Sequence, residues 1–71
     1  MKTIYEIQQY LKKFGTFIYI GDRVADLELM ESEIRELYQS QLIEPSEYQT
    51  AQLILRQEIQ LEKEKSQRKD R

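Results

Sequence analysis

Seventy-one residues with a net charge of −2, no cysteine and no histidine make one small domain and exclude several chemistries at once. Without histidine or cysteine the commonest general base and the best nucleophile are missing, and neither a disulfide nor a thiolate metal site can form. The longest unbroken apolar run, Phe17 to Ile20, is too short for a membrane span or a signal-peptide core.

These exclusions lead to the expectation of a cytoplasmic protein that is not an enzyme, makes no membrane contact, and uses no cofactor and no metal. A core of this size supplies only about 3–5 kcal/mol. Good helix packing or self-association has to make up the rest.

Thr3 followed by Glu6 is a capping box, in which each side chain satisfies a free amide of the other residue. Ile4, Ile7, Leu11 and Phe14 then recur at helical spacing, with Tyr10 on the flank. Gly15 accepts the left-handed backbone that stops a helix, and Lys12 and Lys13 suit the negative end of the helix dipole. The pattern predicts a first helix over about 3–14.

Thr16 to Ile20 is β-branched and aromatic, the composition of a strand. No second strand exists for it to pair with, and a lone strand leaves its backbone groups open. Residues 15–22 therefore read as an extended apolar connector that lays side chains on the helices. Gly21 permits the turn out of it, and Asp22 is the expected N-cap of the next helix.

That second helix is predicted over about 23–42, with Val24, Leu27, Met30, Ile34, Leu37, Tyr38 and Leu42 as its apolar stripe. Leu29 falls off that stripe. Pro45 suits a first helical turn, where its missing amide costs nothing, and places Glu44 at the cap. The third helix is predicted over about 45–62 on Tyr48, Ala51, Leu55 and Ile59, with Ile54 and Leu61 on a flank and Leu53 pointing elsewhere. The short link between them makes an antiparallel hairpin.

The apolar pattern ends at Leu61. Residues 62–71 are expected to form a charged, flexible tail, either a fraying helix end or disordered chain. The fold expected is all-α: a compact three-helix domain over 1–61 plus that tail.

Charge is uneven along the chain. Met1 to Ala25 carries +2, Asp26 to Glu47 carries −6, and Tyr48 to Arg71 carries +2. The pairs Asp22/Asp26 and Glu33/Glu36 stand at helical spacing and could meet a divalent ion, but solvated acidic faces are the simpler reading. The glycines Gly15 and Gly21 match no phosphate loop.

The run Lys12 to Tyr19 interleaves cations with aromatic rings, the two ingredients of a single-strand binder. Against this, the residues alone favour Phe14, Phe17 and Tyr19 as core. Tyr5, off the helical stripe, is freer to stack. The alternative function is a protein-interaction or self-association module built on the hairpin of the second and third helices, with Leu29 and Leu53 as stray apolar surface.

The string Phe14-Gly15-Thr16-Phe17-Ile18-Tyr19, followed by Gly21-Asp22-Arg23, Ala25-Asp26-Leu27-Glu28-Leu29-Met30 and Ile34-Arg35-Glu36-Leu37-Tyr38, closely resembles the YqgQ-like family over about residues 3–60. That family comprises small proteins of Gram-positive bacteria. The resemblance implies an all-α three-helix domain without enzymatic activity or cofactor, and a role in binding single-stranded DNA or RNA.

Carried over by position, the motif residues placed to touch nucleic acid are Lys13, Thr16, Tyr19 and Arg23. Arg56 joins them if the third helix packs near the connector, and Lys12 is added on charge grounds. A looser likeness covers residues 34–55, which resemble short helical hairpins that serve in oligomerisation or protein contact. Those hairpins carry glycine where this chain has Gln41.

Overall fold

Each of the first two helices begins at a side chain that supplies what its own backbone lacks. The computed structural model describes residues 2–69, with side chains to residue 65. Helix α1 runs Ile4–Lys13, and Thr3 caps it. The Glu6 amide donates to the Thr3 hydroxyl at 3.2 Å, and the Thr3 amide returns to Glu6 at 3.1 Å. The Lys2 amide donates to the same carboxylate at 2.8 Å, which holds Glu6 below the usual carboxylate range. Helix α2 runs Arg23–Gln39, with the Asp22 carboxylate accepting from the Ala25 amide at 3.0 Å. Helix α3 runs Pro45–Lys69, and the Tyr48 amide donates to the Glu44 carbonyl at 3.0 Å in its first turn.

The helices α1 and α2 end in the same device. After α1, the Gly15 amide donates to Lys12 and the Thr16 amide to Leu11, both at 3.0 Å. After α2, the Gln41 amide donates to Tyr38 at 3.0 Å and the Leu42 amide to Leu37 at 2.9 Å. This is the paired closure that a left-handed residue makes possible. Gly15 supplies that residue at φ +84°, and Gln41 does so at φ +62°.

The helices α2 and α3 form an antiparallel hairpin, and α1 packs against both of them. One core fills the centre: Ile4, Ile7 and Leu11 from α1, Leu27, Met30 and Ile34 from α2, Ile43 from the link, and Ala51 and Leu55 from α3. The expected all-α three-helix architecture is the observed one, and no strand occurs among the described residues.

Four details differ from the sequence-based expectation. Helix α2 stops at Gln39 rather than near 42. The turn at Gln41 then swings Ile43 inward, 6% exposed, and leaves Leu42 outside at 57%. Tyr38, expected in the stripe, lies at the surface and stacks on Tyr48 with ring centroids 4.2 Å apart.

Helix α3 passes residue 62 and continues to Lys69. Its extension is rich in Glu, Lys, Gln and Arg, which are good helix formers. Contacts at 3.9 Å from Glu62 to Arg23, 3.8 Å from Lys63 to Glu28 and 3.6 Å from Lys65 to Glu62 line it. Residues 70 and 71, the end of the expected tail, lie outside the described residues. The long α3, about 37 Å from its residue count, accounts for a molecule 44 Å in its longest dimension.

The fourth difference concerns the connector. Phe14, Phe17 and Tyr19 are not core: they are 39%, 74% and 89% exposed. Only Ile18 of the run Phe17 to Ile20 packs against the core cluster. The core is already closed by α1 and α2 at Ile7, Leu11, Leu27 and Met30, all 1% exposed or less. Phe14 instead rests edge-on against Tyr10, with centroids 5.3 Å apart.

Candidate functional site

The connector crosses the end of α1 and the start of α2, and two hydrogen bonds hold it there. The Thr16 amide donates to the Leu11 carbonyl at 3.0 Å, and the Ile20 amide donates to the Asp26 carboxylate at 2.7 Å. Between these anchors exposure alternates, with Thr16 and Ile18 half-buried and Phe17 and Tyr19 exposed. That period of two belongs to an extended chain.

Beside the connector lies an open cleft of about 370 Å³. Gln8, Leu11 and Lys12 of α1 form one wall, Thr16 to Tyr19 form the other, and Met30 of α2 contributes to the lining. Leu11 and Met30 are 1% and 0% exposed, so the accessible lining comes from the polar Gln8 and Thr16, the cationic Lys12, Ile18, and the aromatic residues Phe17 and Tyr19. Three of the predicted contact residues, Lys12, Thr16 and Tyr19, converge here.

The other three do not. Lys13 lies on a neighbouring flank of α1 with Glu6, Gln9 and Tyr10. Arg23 faces α3, 3.8 Å from Glu58 and 3.9 Å from Glu62. Arg56 meets the Glu31 carboxylate at 3.4 Å. Met30 lines the cleft, and Glu31 sits one helical step of about 100° further round, so the Arg56 pair belongs to a different face. Among the described residues no ion pair joins Lys12 or Lys13 to a carboxylate.

Of the acidic pairs noted in the sequence, Asp22/Asp26 has local work. Asp22 caps α2 and Asp26 anchors the connector. Among the described residues no cluster of metal-ligating side chains occurs, and no helix is long and apolar enough to cross a membrane.

The YqgQ-like family matches this chain over residues 1–61. The protein named "Uncharacterized protein YqgQ" of Bacillus subtilis (strain 168) is 42% identical over 60 residues, which covers 84% of each chain. The chain belongs to the YqgQ-like family.

In this YqgQ-like protein, Phe17 and Gln8 are cleft residues that the position-by-position reading does not select. Phe17 reads as core from its size and neighbours. Gln8 has no signal of its own: it is one of two adjacent glutamines on α1, and only the packing of the connector makes it a wall. A buried polar group also escapes the sequence. Gln52 of α3 is 8% exposed, and neither its amide nitrogen nor its oxygen meets a partner among the described atoms.

Proposed function

We propose that the cleft between α1 and the connector binds a short stretch of single-stranded DNA or RNA. The observation that carries this reading is the convergence of Lys12, Thr16, Phe17 and Tyr19 on one open cleft. Lys12 meets a phosphate, Phe17 and Tyr19 offer ring faces to bases, and Thr16 and Gln8 offer hydrogen bonds. Stacking on a ring contributes about 1–3 kcal/mol per base and tolerates any sequence.

The small number of cations at the cleft sets the expected salt response. Arg23 and Arg56 are engaged by carboxylates, so one or two lysines carry the phosphate contacts. For single strands the slope of log affinity against log salt is about −0.7 per phosphate. Fluorescence titration with short labelled single strands at two salt concentrations tests the reading. A shallow slope of about −0.7 to −1.4 is expected. No binding at low salt, or binding that ignores salt, overturns it.

A further inference from the structure

The connector carries a second feature that the cleft does not use. In an extended chain the backbone groups of successive residues point to opposite edges. Thr16 and Ile20 donate their amides inward, to Leu11 and Asp26. Residues 16, 18 and 20 therefore share the edge that faces the body. Phe17 and Tyr19 then face the other edge; among the described residues the amides and carbonyls of Phe17, Ile18 and Tyr19 make no hydrogen bond, and the inward bonds of Thr16 and Ile20 on either side set which edge is which. The result is a short, unpaired edge of extended chain at the surface, flanked by exposed aromatic residues.

We infer that this edge pairs with the same edge of a second copy of the chain, forming a two-stranded antiparallel ribbon about a two-fold axis at Ile18. The segment is complementary to itself in that register. Phe17 of one copy stands opposite Tyr19 of the other, Thr16 opposite Ile20, and Ile18 opposite Ile18. Aromatic and β-branched cross-strand pairs of this kind are favourable. Phe17 and Tyr19 form the hydrogen-bonded pairs, each exchanging both amide–carbonyl bonds. A two-fold interface requires this self-complementarity.

Charge also permits it. No charged residue lies between Lys13 and Asp22, so two copies meet there without like charges opposed. The covered area is modest. Strand pairing hides only part of each ring, a few hundred Å² in all, below the roughly 1,200 Å² that stable complexes bury. The dimer therefore belongs to the weak class, seen at high protein concentration. This inference is independent of nucleic-acid binding, because the rings stand on a face of the ribbon while the backbone pairs at its edge.

Sedimentation equilibrium of the full chain, without nucleic acid, tests it up to about 1 mM protein. Two variants isolate the backbone. Tyr19→Val removes the ring and keeps the amide, whereas Tyr19→Pro removes both. The Tyr19 amide has no partner among the described residues, so proline leaves the helices intact, as circular dichroism checks. Two bonds are lost per dimer, and the proline variant is expected to associate about 30-fold more weakly than the valine variant. In the wild type, amide exchange at Phe17 and Tyr19 should slow with protein concentration while Ile18 does not. A wild-type chain that stays monomeric, equal association of the two variants, or concentration-independent exchange at Phe17 and Tyr19 overturns the inference.

Discussion

Gln41 stands in the turn after α2 where Gly15 stands in the turn after α1, and both have the left-handed backbone, at φ +62° and +84°. The hydrogen bonds that close the two turns are the same. Only the side chain differs. A residue with a Cβ is strained in this region by about 1–2 kcal/mol, while glycine gives back part of that through a freer unfolded chain. Gln41→Gly is therefore expected to stabilise the domain by about 0.5–1 kcal/mol, a rise of several degrees in Tm for a chain of this size. Gly15→Ala should destabilise by about 1 kcal/mol through the backbone alone, since nothing lies within 4 Å of an added Cβ. Thermal melts of both variants check the pair.

Gln52 leads to a second prediction. Its amide is buried in the face of α3 that includes Ala51 and Leu55, with no partner for either polar atom among the described residues. An amide so placed loses its water without a replacement hydrogen bond. Gln52→Met keeps the length and flexibility of the side chain and removes both polar atoms. A gain of about 1–2 kcal/mol is expected. Urea unfolding measures it, and a loss of stability would mean that the amide is satisfied in solution.

Legibility in the sequence tracks the range of the forces involved. Thr3 with Glu6, Asp22, Gly15 and Pro45 act within three or four residues, and their roles can be read directly. The core stripes of α1 and α2 come from helical spacing. The pairing of Arg23 with Glu58 and Glu62 joins distant parts of the chain, and no local pattern announces it. The connector misleads for a different reason. Phe17 and Tyr19 have the composition of core residues, but Ile7, Leu11, Leu27 and Met30 already fill the centre. Exposure there is decided by competition for space, which composition does not report. The same exposure brings Lys12, Thr16 and Tyr19 to one cleft and leaves Lys13, Arg23 and Arg56 elsewhere.

Tyr10 predicts an alkaline limit to stability. Burial, and then the carboxylates of Glu47 and Glu44 facing it, push its phenol above the ordinary value of 10.0. The folded chain therefore holds this proton to higher pH than the unfolded chain does. Where the folded state binds more protons, stability falls as pH rises. The contribution is complete below about pH 10 and is lost as pH climbs toward the folded value. Tyr10→Phe removes the titrating group. Denaturation curves between about pH 9 and 11 should show a decline in the wild type that is shallower in Tyr10→Phe.

The division among the basic residues yields the last prediction. Lys12 lines the cleft, whereas Arg56 meets Glu31 on another face and Arg23 bridges to α3. If the cleft holds a single strand, Lys12→Gln removes one phosphate contact. The salt slope should then become shallower by about 0.7, with an affinity loss of several-fold at low salt. Arg56→Gln should leave the affinity unchanged within about twofold, because an exposed ion pair of this kind contributes at most about 1 kcal/mol and touches no ligand. Arg23→Gln should lower Tm slightly and leave the salt slope as it was. Titrations of the three variants against one labelled strand check all of this together. An equal slope change in all three would mean that the strand tracks over α3, outside the cleft, and the geometry proposed for binding would be wrong.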